Sequence, residues 1–144
     1  MEPLPLLDVY EYEEGGIGGT AAFGAWQALL LNYLPRLAPK EVADMQRHTQ
    51  TDEIFILLKG QAILFTAGGE DAPTGALLGT PLEMGKLYRV SQNVWHTQVM
   101  TPDAKIALVE NSDTVAENSP RHPITRQQRS QLTDFVEARW GKLW

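Results

Sequence analysis

Glycine and proline break this chain into short apolar segments from one end to nearly the other, with 12 Gly and 9 Pro in 144 residues. Segments that short suit strands better than helices, so the rhythm predicts an all-β domain. The expected strands are residues 26–34, 42–48, 53–58, 62–66, 87–90, 97–100 and 105–110. AGGEDAPTGA at 67–76 reads as a polar turn or loop, and TPDA at 101–104 as a tight turn with Pro102 at its second position. No internal repeat or low-complexity tract divides the chain, so its length implies one domain, able to bury about two-thirds of its unfolded surface.

The C-terminal end differs in kind. Thr125 is placed as an N-cap, and Gln128 three residues later completes a capping box. Leu132, Phe135, Val136, Trp140 and Leu143 follow at helical spacing. An amphipathic helix is expected there, lying on the rest of the domain or on a partner, with structural roles for Trp140 and Trp144.

Charge and composition exclude several functions. With 12 basic against 18 acidic residues and no Lys or Arg cluster, nothing offers a nucleic-acid surface. Cysteine is absent, which removes disulfides, thiol nucleophiles and Cys-ligated zinc, and fits a cytoplasmic protein. MEPLPLLDVYEYEE is acidic and lacks the basic start of a signal peptide. The longest apolar stretch, AFGAWQALLLNYL, is too short to span a bilayer. GIGGTA at 16–21 matches a dinucleotide fingerprint by letters alone. The acidic VYEYEE before it is unsuited to a buried parallel strand, so a flexible loop is expected there.

The chemistry concentrates in two stretches. In QRHTQTDEIFILLKG (46–60), Gln46 and His48 share a strand face. The short link TQTD lets the chain turn, and Glu53 opens the next strand beside them. Gly60 ends that strand where a hairpin needs freedom from a side-chain clash. In GKLYRVSQNVWHTQVM (85–100), SQN reads as a turn and His96 begins a strand. Two His and one Glu from separate strands make a site for a divalent metal: imidazole suits zinc, iron, nickel or copper, and carboxylate suits iron or manganese. The lone His122, flanked by proline in SPRHP, is expected on a surface loop.

The two stretches together resemble the motifs of the cupin superfamily. The first motif runs H-x-H, four residues, E, six residues, G. Here it stands as Gln46-x-His48, four residues, Glu53, six residues, Gly60. The second runs G, five residues, P-x-G, two residues, H, three residues, N. Here it stands as Gly85, five residues, Ser91-x-Asn93, two residues, His96, three residues, Met100. Every spacing holds, while Gln46, Ser91, Asn93 and Met100 depart from the motif residues. The resemblance implies a cupin-type jelly-roll β-barrel carrying the C-terminal helix. In that layout 1–24 form an N-terminal arm and loop, 25–111 the barrel, 112–124 a loop and 125–144 the helix. It implies a metal, namely zinc, iron, manganese or nickel, held by His48, Glu53 and His96, with Gln46 as a weaker neutral ligand. It also implies a homodimer that covers edge strands.

Strand alternation supplies neighbours for that site. If His96 points inward, so do Gln98 and Met100. If Lys105 faces water, Ile106, Leu108 and Glu110 face inward. Glu110 is then either a general base in the interior or a rim residue paired with an arginine. Tyr88 and Trp95 are candidates for a pocket wall, for packing or for dimer contacts. The tail ENSDTVAENSP (110–120) is long enough to fold over a barrel mouth. The leading functional reading is a metal-dependent enzyme acting on a small polar metabolite, as a dioxygenase, isomerase or lyase, with Glu110, Tyr88 and Gln98 as acid or base candidates. The alternatives are a small-ligand-binding or sensing protein, with or without metal, and a metal-free structural relic.

Overall fold

A computed structural model describes residues 6–142. Ten strands precede one long helix: β1 (Gly16–Phe23), β2 (Trp26–Asn32), β3 (Asp44–Gln46), β4 (Glu53–Lys59), β5 (Ala62–Gly68), β6 (Thr74–Pro81), β7 (Tyr88–Val90), β8 (Trp95–Met100), β9 (Lys105–Asn111), β10 (Arg121–Pro123) and α1 (Arg126–Trp140). Two 3-10 turns, Pro35–Leu37 and Ala116–Asn118, sit in the connections. The helix is too short and too polar to cross a membrane, as is every helix among the described residues.

All pairings are antiparallel and fall into two five-stranded sheets, ordered β1-β2-β9-β4-β7 and β10-β3-β8-β5-β6. Without the edge strands β1 and β10, the orders 2-9-4-7 and 3-8-5-6 are those of two interleaved Greek keys, a jelly roll. The sheets remain separate ladders, so the molecule is an open sandwich rather than the closed barrel expected from sequence.

Three segments differ from expectation. GIGGTAAF is an edge strand paired with β2, not a loop, and strand rather than helix follows its glycines. The 67–76 loop shrinks to a turn, because β5 runs through Gly68 and β6 begins at Thr74. His122 lies on the short strand β10, paired with Met45, instead of on a loop. Lys105 does not face open water, since its Nζ donates to Tyr12 O (2.8 Å) and pairs with Glu13 in the N-terminal arm.

The register explains the burial. Leu29, Leu31, Phe55, Leu57, Leu64, Met100, Ile106 and Leu108 fill the space between the sheets. β5 is buried on both faces, which is why its sequence AILF runs apolar without alternation. Ala62 and Leu64 face the interior, while Ile63 and Phe65 join Val42, Val99, Leu132 and Val136 beneath α1. Phe135 packs edge-on against Phe65 at 5.6 Å and lies over Gly79, where an added Cβ would come within 2.6 Å of its ring.

The helix begins as expected. Thr125 Oγ1 accepts from Gln128 N, and Gln128 Oε1 accepts from Thr125 N, each at 3.0 Å. Gln128 also donates through Nε2 to Pro73 O (3.2 Å), tying the helix start to β6. Trp140 packs partly buried against the same cluster, whereas Leu143 and Trp144 lie outside the described residues.

Gly60 ends β4 with φ +69, and a Cβ there would meet Ala104 Cα at 2.6 Å. The TPDA turn closes through Ala104 N to Thr101 O at 2.9 Å. Only glycine lets these two turns approach so closely.

Leu132 is fully buried beneath the helix, so Leu132→Ala should cost about 2–5 kcal/mol. At about 2–4 °C per kcal/mol, the thermal midpoint should fall by several degrees, while Arg126→Ala on the exposed side changes little. A melting curve unmoved by Leu132→Ala would show that α1 does not seal the outer face of the sheet.

Candidate metal centre

The link between β3 and β4 delivers the first half of the site. Gln46 ends β3, His48 lies two residues on, and Glu53 is the first residue of β4. The turn at Ser91–Asn93 docks on this link. Asn93 N donates to His48 O (2.9 Å), and Gln92 N donates to Asp52 Oδ1 (2.7 Å). Asn93 takes φ +68, the left-handed conformation that the family motif gives to glycine. β8 leaves that turn and sets His96 opposite Gln46 in the β3–β8 register.

The result is a tight buried cluster. One ligand atom from each of His48, Glu53 and His96 lies within 4.8 Å of the others. Glu53 Oε1 is 3.2 Å from His48 Nε2 and 3.1 Å from His96 Nε2. Gln46 Nε2 is 3.2 Å from His48 Nε2, and turning its amide over would present Oε1 there instead.

The outer ring nitrogens settle how these groups face one another. His96 Nδ1 is 3.0 Å from Val94 O, and a carbonyl only accepts, so Nδ1 carries the proton. With that proton in place, Nε2 offers the Glu53 oxygen a lone pair in the neutral ring and an N–H in the protonated one. His48 Nδ1 is 2.7 Å from Ser119 Oγ, which fixes that ring in turn. Acceptors converging this closely need positive charge between them, supplied by a proton on an imidazole or by a metal ion. Two ligands bound to one ion at 2.0–2.2 Å stand about 3.0–3.5 Å apart, so the observed spacings fit metal donors. Two imidazoles and one carboxylate are also a donor set suited to a divalent ion of the zinc, iron or manganese kind.

Glu110, half-buried near the end of β9, lies beside the cluster. Burial first, then its hydrogen bond to Glu53 and repulsion from that carboxylate, push Glu110 up to about 7. Glu53 shows the opposite behaviour: burial opposes its ionisation, but hydrogen bonds from His48 and His96 and the His96 charge outweigh burial and hold it at about 2. The pair thus shares one proton, held on Glu110. Gln27 Nε2 donates to Glu110 Oε2 at 3.2 Å, and among the described residues the side chain pairs with no arginine.

A cavity of about 400 Å³ reaches the cluster, with Gln46, Glu53, Phe55, His96 and Gln98 on its wall. Gln98 therefore sits where alternation from His96 places it, and Met100 is buried in the core below. Tyr88 is tied off by Glu83 N, which donates to its hydroxyl at 2.9 Å, and it does not line the cavity. Trp95 is packing rather than pocket wall: it is buried with Met45 and Ala67 on the other face of β8. His122 lies edge-on to Trp95 at 6.2 Å and takes no part in the cluster.

Sequence reasoning missed Ser119 and Gln27. Only the length of the 110–120 tail hinted at the first. The tail folds back against the 47–49 link, anchored by Thr49 N to Asn118 O (2.9 Å) and Arg47 N to Pro120 O (3.1 Å).

No family model matches the chain, and no curated protein is significantly similar to it in sequence. Solved structures do match. A cupin-2 domain containing protein from Shewanella frigidimarina is 20% identical over 63% of this chain and 74% of that chain, with a TM-score of 0.45. FeII HppE is 18% identical over 60% of this chain and 42% of that chain, with a TM-score of 0.47. Streptomyces PAC13, a histidine-to-glutamine variant with uridine, is 9% identical over 83% of this chain and 90% of that chain, with a TM-score of 0.54. Identities this low speak to the fold alone.

The raised Glu110 gives a pH signature in metal-free protein. A carboxyl whose folded pKa exceeds its unfolded one stabilises the fold at low pH and loses that contribution as pH rises. The melting temperature of chelator-treated protein should therefore decline between about 4.5, the ordinary value, and about 7. Glu110→Gln should remove that decline. A wild-type profile flat across this window would contradict the shared proton.

Proposed function

We propose that this chain, which has the fold of the cupins, binds one divalent metal ion through His48, Glu53 and His96 and acts as an enzyme on a small polar metabolite in the adjoining cavity. The observation that carries this reading is the convergence of the His48 and His96 Nε2 atoms and the Glu53 carboxylate on one buried point. The chemistry such an ion supplies when bound is Lewis-acid polarisation of an oxygen on the metabolite.

The chain's own residues do the rest. His96 is locked by Val94 O and His48 by Ser119 Oγ, so both imidazoles are oriented before any ion arrives. Gln46 stands beside His48 as a neutral oxygen or amide donor, leaving that side of the centre weakly held. Phe55, edge-on to His96 at 5.9 Å, excludes water from the imidazole. Gln98 presents a donor and an acceptor to whatever enters the cavity. Glu110, beside Glu53, is the further carboxyl that could exchange a proton with this site.

One observation favours a second reading. Gln46 can donate to His48 Nε2 in place of a metal bond, and protonation of His96 would satisfy Glu53. The same cavity would then serve a metal-free small-ligand-binding protein.

Metal analysis of protein purified without an affinity tag distinguishes the two. About one equivalent of zinc, iron, manganese or nickel per chain is expected. His48→Ala and His96→Ala should weaken binding by more than the roughly 10–100-fold expected of Ser119→Ala, which only frees a ligand to rotate. Gln46→His should tighten it. If none of these ions binds the wild-type chain in titration calorimetry, the metal reading fails and the second stands.

A further inference from the structure

The cavity that reaches the metal centre is bounded by an edge strand of each sheet. Ile17 from β1 and Arg121 from β10 both stand on its wall. Leu31, Leu37, Phe55 and Leu108 give that wall an apolar side, and Thr97 and Gln98 a polar one.

Four charged residues line the mouth: Arg36, Glu41, Asp44 and Arg121. Arg121 is neutralised by Asp44, Nη1 to Oδ1 at 3.0 Å. Arg36 has no hydrogen-bond or ion-pair partner among the described residues, and neither does the Glu41 side chain. The one cation left free at the entrance therefore belongs to a protein with a net charge of −6.

The backbone that carries Arg36 is held firmly. Pro35 starts the 3-10 turn, Leu37 N donates to Leu34 O (2.8 Å), and Leu37 points into the core at 4% exposure. Beyond the turn, Arg129 of α1 donates to Pro39 O (2.6 Å) and to Val42 O. The Arg36 side chain therefore springs from a fixed backbone at the cavity wall, not from a loose loop.

We propose that Arg36 is the specificity-determining residue of this cavity, gripping the carboxylate of a small monocarboxylate whose carbon chain lies along the apolar wall toward the metal centre. This rests on the reading of the cavity as the substrate site of that centre. The planar fork of Arg matches a carboxylate in a two-point grip. The unpaired Glu41 repels a second negative charge, which favours a singly charged head over phosphate.

The test uses the full-length chain, both as purified and after chelation, with three probes followed by NMR titration: butyrate, the uncharged butyramide and inorganic phosphate. Butyrate should bind in preference to both others and shift the amides of 36–46 in wild type. Arg36→Ala should weaken butyrate by about 10–100-fold, the worth of a charge-assisted hydrogen-bonded pair. Arg36→Lys should recover part of the loss, and metal affinity should be unchanged in both variants. Equal binding of butyrate and butyramide, tighter binding of phosphate, or butyrate binding indifferent to Arg36→Ala would overturn the proposal. Because the chelated arm contains no metal, these outcomes are separate from failure of the wild-type chain to bind metal, which would overturn the metal reading alone.

Discussion

Glu53 Oε1 lies 3.2 Å from one imidazole nitrogen and 3.1 Å from another, and all three side chains are buried. A buried carboxylate without partners is among the costliest things a small domain can contain. Here the carboxylate stays ionised because both neighbours turn toward it, and they turn because each outer nitrogen is fixed elsewhere. Val94 O holds one ring and Ser119 Oγ the other. The cluster therefore needs four segments in register at once: the link after β3, the start of β4, the start of β8 and the returning tail.

The fold supplies that register by turns rather than by bulk. The Ser91–Asn93 turn sits on the 49–52 link, with Asn93 in the left-handed region. Gly60 allows the far end of β4 to pass under Ala104, so that β4 and β9 stay paired down to Lys59. The same jelly roll that brings the three side chains together also puts the edge strands β1 and β10 on the wall of one cavity. That cavity gives the site depth, a partly apolar wall and charged residues at its exposed end.

Much of this was legible in the sequence, for physical reasons. Spacing between motif residues fixes which strand starts meet, so His48, Glu53 and His96 converge although Gln46 and Asn93 depart from the motif. Alternation carried Gln98 to the cavity wall and Glu110 to the side of Glu53. The capping box set the start of α1. What stayed hidden depends on long-range contacts. β1 reads as a loop because its glycines and small residues carry no alternating pattern, and only pairing with β2 makes it a strand. β6 and β10 owe their existence to a neighbouring strand in the same way. Trp95 could not be assigned to packing until the outer face of its sheet was seen to be covered. Ser119 is one hydroxyl in a polar tail, and nothing local distinguishes it from its neighbours.

A cation at the point where the three side chains meet is what would bind His48, Glu53 and His96 into one centre. Crystals grown with manganese or iron and measured at the absorption edge of that metal test this directly. The account predicts an anomalous peak at about 2.0–2.2 Å from His48 Nε2, His96 Nε2 and a Glu53 oxygen. A map with no peak there, and with both imidazoles still hydrogen-bonded to Glu53, would contradict it.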